Sequence, residues 1–348
     1  VSMEYYNTKT KDVIWNKALP VINGAFSPDG GPKANYTTNL NMCETSNKGF
    51  ELALNTRNII TKNFTWSSSV TFNHNKEKIT KLSGGDSDVL NNGDTGYALA
   101  LGEAINSYYH YKLDGVWQKG EETDAAVFGA APGDLKINIP NLVKESDGRF
   151  YKIDEETGSA AVDENGNVIY YTSDNKYTPS DADYQILGHN SPDWSLGFQN
   201  NFTWKDFDLS VFVYARYGQM FAYDMLTSYD PKGIRNFPTY FNYWTENNPS
   251  NDFPAANANK GLEQYTGYYA LRYVDGSFIK IKNITLGYSL PKSILKSAGI
   301  EKCRFYATIT NPFVFAKSHL LKDYDPEMNG SLKYPLTKQF VFGVNVTF

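Results

Sequence analysis

Few of the 348 residues combine a reactive type with a telling spacing. The best candidate is Asp163-x-Asn165-x-Asn167, whose alternating oxygen donors resemble the start of a calcium loop. The run departs from that pattern, because Gly166 stands fourth rather than sixth and no Glu stands twelfth. A solvated turn built on Asn-Gly is the favoured reading, so any Ca²⁺ site here is weak. His74, His110, His189 and His319 are scattered and form no His-Glu-x-x-His pair. Cys43 and Cys303 are the two cysteines, with no metal-type spacing, and two unlinked thiols are favoured over a disulfide. There is no Gly-x-Ser-x-Gly elbow, Walker loop or dinucleotide fingerprint. Carboxylates are plentiful, but none can be paired at glycosidase spacing without a fold. The expectation is a protein without catalytic, cofactor-binding or firm metal-binding residues, and not an enzyme.

Aromatic rings are the second source of chemistry. They make up 15% of the chain, with 26 Tyr and 21 Phe, although mean hydropathy is only −0.49. Many cluster between strands: Tyr223, Tyr229, Tyr240, Phe241, Tyr243, Trp244, Tyr265, Tyr268 and Tyr269. Flat rings stack on sugar faces, and Asn247 and Asn248 could bond hydroxyls. The competing reading, packing of long loops against one another or a covering partner, is favoured over direct ligand contact. Tyr108, Tyr109 and Tyr111 read as girdle or lumen residues.

The elements that position these groups are strands. Counting back from the end, Phe348, Val346, Val344, Phe342 and Phe340 oppose Thr347, Asn345, Gly343, Val341 and Gln339. One parity is apolar and the other mostly polar, the period-2 signature of a strand. The split recurs in Trp194, Leu196, Phe198, Phe202 and Trp204, in Phe207, Leu209, Val211, Val213, Ala215 and Tyr217, and in Phe64, Trp66, Val70 and Phe72. Phe50, Leu52 and Leu54, and Cys303, Phe305, Ala307 and Ile309, repeat it. No apolar run approaches the roughly 18 residues of a membrane helix, and 41% hydrophobic content is too high for disorder. Net charge −5 argues against nucleic-acid binding through phosphates.

The strands are longer than the roughly 5–6 residues usual in soluble proteins and suit the roughly 9–11 needed to cross a bilayer. The polar parity is mainly Ser, Thr, Asn, Gln, Gly and Tyr, as a wet lumen requires, with Trp194, Trp204, Phe207 and Phe348 near strand ends as a girdle. Nine strands are placed near Met3–Lys9, Lys48–Asn58, Lys62–Asn73, Ile105–Trp117, Asp193–Trp204, Phe207–Gly218, Arg272–Leu290, Lys302–Pro312 and Thr337–Phe348. Connections alternate short and long, the long ones being Leu82–Ile105, Gln118–Ser191, Gln219–Leu271 and Lys317–Leu336, an asymmetry of outer-membrane barrels. The chain opens Val1-Ser-Met-Glu-Tyr5 with no signal-peptide pattern. This suggests a mature protein or a piece of a longer one.

Several ordered stretches carry a family resemblance. They are Tyr5-Tyr-Asn-Thr-Lys9 with Asp12-Val-Ile14, Asn47-Lys-Gly-Phe-Glu-Leu52, and Phe64-Thr-Trp66 leading to Phe72-Asn-His-Asn-Lys76 and Ile79-Thr-Lys-Leu82. Pro132-Gly-Asp-Leu-Lys136 and Ile186-Leu-Gly-His-Asn-Ser-Pro192 follow, then Gly197-Phe-Gln-Asn200 and Phe207-Asp-Leu-Ser210. Asp275-Gly-Ser-Phe-Ile-Lys-Ile-Lys-Asn-Ile-Thr-Leu-Gly-Tyr288, Asn311-Pro312 and Tyr324-Asp-Pro-Glu327 complete the set. Together they resemble the C-terminal part of SusC/RagA-type TonB-dependent outer-membrane transporters of Bacteroidota. The resemblance implies an all-β fold, the second half of a transmembrane antiparallel barrel of about 22 strands with long extracellular loops, whose plug and opening strands lie outside this chain. It implies import of glycans, with peptides as the alternative, energised by TonB under a SusD-like lipoprotein lid. Tyr223, Tyr240, Tyr243, Trp244, Asn247, Tyr265 and Tyr268 become substrate- or lid-contact candidates. Phe340, Phe342, Val344, Val346 and Phe348 become the signal read by the barrel-assembly machinery, facing outer-membrane lipid. The insertion between Asp134 and Ile186 is longer than the family's usual loop. A passive porin or adhesin barrel and, further off, a secreted glycan-binding β-protein remain alternatives.

Overall fold

The computed structural model describes residues 1–18, 37–82, 89–91, 97–228, 232, 238–296 and 299–348. Tyr229 lies outside the described residues. Eight long strands form one antiparallel sheet: β1 (Ser2–Ala18), β2 (Thr37–Ile60), β3 (Phe64–Leu82), β4 (Trp194–Trp204), β5 (Phe207–Tyr217), β6 (Phe278–Ser289), β7 (Lys302–Ala316) and β8 (Gln339–Thr347). Their order in the sheet is their order in the chain, and β1 and β8 each leave one edge unpaired among the described residues.

Directly opposed residues share a face of a sheet, so the register shows whether the separate alternations agree. They do. Leu52 and Leu54 of β2 oppose Phe72 and Val70 of β3, which oppose Leu196 and Phe198 of β4. Phe202 and Trp204 oppose Leu209 and Phe207 of β5. Leu209 then opposes Leu286 of β6, Leu286 opposes Ala307 of β7, and Ala307 opposes Phe342 of β8. One apolar face therefore runs across the whole sheet, and nothing among the described residues covers it: Leu286 is 51% and Phe342 80% exposed. A sandwich would bury such a face against a second sheet. Trp194 and Trp204 open and close β4. Their ten-residue separation is about 33 Å along the strand, or about 25 Å of depth at a barrel tilt of about 40°.

Asn200 interrupts the apolar face at mid-strand and is satisfied locally. Its Oδ1 accepts from Trp66 Nε1 at 3.0 Å and from Ser68 Oγ at 2.8 Å. On the other face Thr203, Asp208, Gly287 and Tyr306 stand in one row. There the Arg304 guanidinium forks onto both carboxylate oxygens of Asp208 at 2.9 and 2.6 Å. The fork crosses β6 over Gly287, where a Cβ would collide with both partners.

One expected wall strand is corrected. Ile105–Trp117 does not join the sheet. It splits into Ser107–His110, paired with Gln185–His189, and Lys112–Val116, paired with Leu135–Asn138. Both parities are buried: Tyr108 is 3%, Tyr111 8% and Val116 1% exposed. Gly115, at φ 106°, breaks the run. Tyr108 and Tyr111 are thus core residues of the loops, not of a girdle, and Tyr109 shares the strand Ser107–His110 with Tyr108. With this strand removed the connections alternate strictly. Those after β2, β4 and β6 are short, and those after β1, β3, β5 and β7 are long. The expected strand Arg272–Leu290 is also divided, into Tyr273–Asp275 and β6, at Gly276-Ser277.

Candidate functional site

The long connections after β3, β5 and β7 fold together at one rim. Their shared core holds Val116, Leu135, Phe221, Tyr223, Leu226, Phe241, Trp244, Phe253, Tyr265, Tyr268, Leu271, Val274 and Leu321. Four of the seven contact candidates are therefore inside. Tyr223 is 4%, Trp244 7%, Tyr265 4% and Tyr268 2% exposed. Such rings cannot stack on a cargo without unpacking the loops. Phe241 likewise stacks on Phe253 at 4.2 Å, Trp244 Nε1 donates to Gln118 Oε1 at 2.9 Å, and the Tyr265 hydroxyl donates to the Ala255 carbonyl at 3.1 Å. Tyr243, at 40%, Asn247 and Tyr269 are exposed, and Tyr240 is half-buried against the same core. The neighbouring Asn248 amide is engaged with the Tyr243 carbonyl and Asn242 Oδ1.

Pro132-Gly-Asp134 joins two of the loops. Gly133 has φ 94°, and its missing side chain admits Trp244 and Ala255. Lys260 bonds Asp134 from the connection after β5. Beside this core a cleft of about 440 Å³ opens among Tyr111, Leu113, Gln185, Leu187, Met220 and Leu320. At its margin His110 stacks on Tyr184 at 4.8 Å. Burial, with the nearby charge of Arg272, lowers the His110 pKa to about 4, so the ring is neutral at pH 7.

Asp163, Asn165 and Asn167 form a turn. Asp163 Oδ1 accepts the backbone N–H of Asn165 and of Asn167, both at 2.9 Å, inside the Val162–Val168 bridge. Those bonds hold the exposed Asp163 carboxyl below its usual range. The Asn167 amide turns its NH₂ toward Asp163 at 3.4 Å, which places a donor where a cation would need an acceptor. Among the described residues no three His, Cys, Asp or Glu side chains gather closely enough for a metal.

Two buried ionic groups escaped the sequence reading. Asp183, with no exposed side-chain surface, accepts from Lys152 Nζ and the Tyr177 hydroxyl at 2.6 Å each, and from the Ser180 N–H at 2.9 Å. This knot closes the long insertion on itself. Lys280, fully buried on β6, reaches the connection after β7, where it bonds Asp325 and, at 2.8 Å, Glu327. Lys282 adds a bond to Glu327 at 2.6 Å. The two motifs Phe278-Ile-Lys-Ile-Lys282 and Tyr324-Asp-Pro-Glu327 are thus one physical unit. Opposite charges in two motifs otherwise matched to strand and loop were the available signal.

No family model matches the chain. Over its full length it is 28% identical to TonB-dependent receptor P3 of Formosa agariphila, covering 100% of this chain and 32% of that protein. It is 26% identical to TonB-dependent receptor SusC of Bacteroides thetaiotaomicron, covering 99% of this chain and 29% of that one. A solved structure of the RagAB peptide transporter superposes with TM-score 0.69 at 23% identity, covering 99% of this chain and 33% of that one. The RagAB peptide importer in its closed-closed state gives TM-score 0.68 at 22% identity. The chain spans about a third of the length of the relatives it matches. The resemblance to SusC/RagA-type TonB-dependent receptors holds from end to end, and the fold is that of an antiparallel barrel wall.

Proposed function

We infer that this chain forms the C-terminal part of the wall and loops of a nutrient importer in the outer membrane, driven by TonB and closed by a SusD-like lipoprotein. One observation carries the reading. Along β4 an uncovered apolar face about 25 Å deep is bounded by Trp194 and Trp204, and the reverse face carries the aqueous-type groups Thr203 and the Asp208–Arg304 pair. A passive pore would share that wall. The similarity to TonB-dependent receptors across the whole chain supports the energised importer. Further strands would pair with the open edges of β1 and β8 to close the barrel. Phe340, Phe342, Val344, Val346 and Phe348 would then present an outward apolar strand to lipid and to the assembly machinery. Of the contact candidates, Tyr243, Asn247 and Tyr269 offer exposed surface to cargo or lid, while the buried rings hold the loops in shape.

Glycan is the leading cargo class, because exposed Tyr rings beside an Asn amide suit sugar faces and hydroxyls. Peptide is the second, supported by the likeness to the RagAB peptide transporter and by the aliphatic walls of the cleft at Leu113, Leu187 and Leu320. The deciding experiment deletes the gene and compares growth on polysaccharide and on peptide as sole nutrients. A pull-down of the full-length protein from outer membranes accompanies it, with copurifying lipoprotein identified by mass spectrometry. Growth unaffected on both nutrients, with no lipoprotein partner, would reject the importer.

A further inference from the structure

The outward face of the sheet changes character near the tops of β1, β2 and β3. Phe50 opposes His74 and Tyr5, and His74 opposes Trp194, all on the apolar face. One step further toward the long connections on that same face, Lys48 stands directly opposite Lys76. A further step brings Ser46, flanked by Lys78 on β3 and Lys9 on β1. All four lysines are exposed, and among the described residues none has an ion-pair or hydrogen-bond partner. The carboxylates of this corner lie elsewhere. Glu51 and Glu77, opposite Asn73 and Asn47, occupy the reverse face. Glu44, higher on the same face, is taken by Lys81 at 3.8 Å, and Asp12 sits in the bulge of β1.

Strands about 4.8 Å apart and alternate residues about 6.7 Å apart put the backbone positions of the four lysines in a field of about 10 by 7 Å. Directly opposed like charges destabilise a sheet unless a counter-ion joins them. The depth of the patch identifies the counter-ion. Lys76 lies twelve residues along β3 from Phe64. That is about 40 Å of strand and about 30 Å of depth at barrel tilt, about 5 Å past the edge of the apolar band. It is also on the long-connection side, which in such barrels faces the outer leaflet. We propose that Lys9, Lys48, Lys76 and Lys78 form a binding site for the phosphorylated headgroup of an outer-leaflet glycolipid, whose acyl chains lie against Phe50, Phe72 and Trp194. The proposal rests on the outer-membrane reading above.

The test uses the full-length protein in phosphatidylcholine vesicles doped with diphosphoryl lipid A, or with the same lipid after dephosphorylation. Bound lipid A is counted by native mass spectrometry. The wild type retains the phosphorylated lipid in preference. Basic residues near an anionic surface contribute about fivefold in affinity each, so Lys48→Gln/Lys76→Gln/Lys78→Gln loses about a hundredfold. The corresponding triple Arg variant keeps the binding, as does Lys119→Gln, a change at an exposed lysine of the loops paired with Glu246. Heat-modifiable mobility in gels confirms that each variant is a folded barrel. Equal retention by wild type and the triple Gln variant overturns the proposal. Displacement of the lipid by an equal concentration of inorganic phosphate overturns it as well. So does a triple Gln variant that keeps the lipid and loses a copurifying acidic protein, since the patch would then dock a protein. If the wild type enters neither kind of vesicle, the membrane reading itself fails, and that result is distinct from loss of selectivity.

Discussion

Replacing Lys280 with Met tests the idea that the connection after β7 is pinned to the inner wall by charge. The substitution keeps the length of the apolar stem and removes the ammonium. Lys280 is fully buried, and the Asp325 and Glu327 side chains are 13% and 17% exposed. Glu327 keeps Lys282 at 2.6 Å, whereas Asp325 loses its cation and retains only the Glu327 N–H at 3.1 Å. Removing one partner of a buried pair costs about 3–5 kcal/mol. Partial exposure and the surviving Lys282 place this case near the lower end. About 3 kcal/mol raises the local opening of residues 317–338 about 150-fold. Hydrogen–deuterium exchange of that segment in the full-length protein reads the change directly. The same Met change in an Asp325→Asn/Glu327→Gln background is expected to cost almost nothing, because no stranded carboxylate remains. Equal protection in wild type and Lys280→Met, or strictly additive effects in the cycle, would refute the clasp. The pH response has a definite sign. Burial pushes the Glu327 pKa up, but the bonds from Lys280 and Lys282 outweigh it and hold the value below the ordinary 4.5. Its contribution is therefore complete above pH 4.5 and fades as pH falls through the depressed value.

Three further outcomes follow from the geometry. Val344→Lys, near the middle of β8 on the apolar face, is expected to cost about 2–4 kcal/mol and to lower the heat-modifiable fraction, while Asn345→Lys on the reverse face leaves it unchanged; equal effects would sink the two-face assignment. Asn200→Ala strands the Trp66 indole N–H and the Ser68 hydroxyl on an apolar surface, a cost of about 1–3 kcal/mol, visible as a lower unfolding midpoint in detergent. Asp183→Ala leaves the half-buried Lys152 ammonium without its carboxylate and is expected to expose residues 142–183 to protease without altering β1–β8. In the wild type, burial raises the Asp183 pKa but the Lys152 and Tyr177 bonds bring it below the usual 3.8, so this support persists until the pH drops beneath that value.

The wall was legible in the sequence because its physics is local. A strand with one apolar and one polar face must alternate at period 2, and Trp194–Trp204, Phe207–Tyr217 and Gln339–Thr347 lie where the alternation put them. Ile105–Trp117 misled because a strand buried on both faces shows no clean parity. The clue was a mismatch of connections, since two successive long ones cannot flank one wall strand and keep the long loops on one rim. The aromatic cluster was legible in composition but not in orientation. Whether Tyr268 or Tyr269 points inward depends on packing into a core shared with Val116 and Leu226, far along the chain, and only the fold supplies it. The Lys280 and Asp183 groups stayed hidden for the same reason. Each is an ordinary surface residue by type, and partners from distant segments decide its burial.

The excursion between β3 and β4 leaves the wall at Leu82 and returns at Trp194 to the very next place in the sheet. Joining strand ends through about 110 residues rather than about 11 adds only about 2 kcal/mol of loop-closure entropy, because that cost grows with the logarithm of length. The β3–β4 ladder runs without a register shift from Phe64 to His74 and absorbs the cost many times over. Evolution can therefore lengthen, shorten or replace this excursion with little penalty to assembly, so the loop can be rewritten while the barrel wall that carries it stays the same.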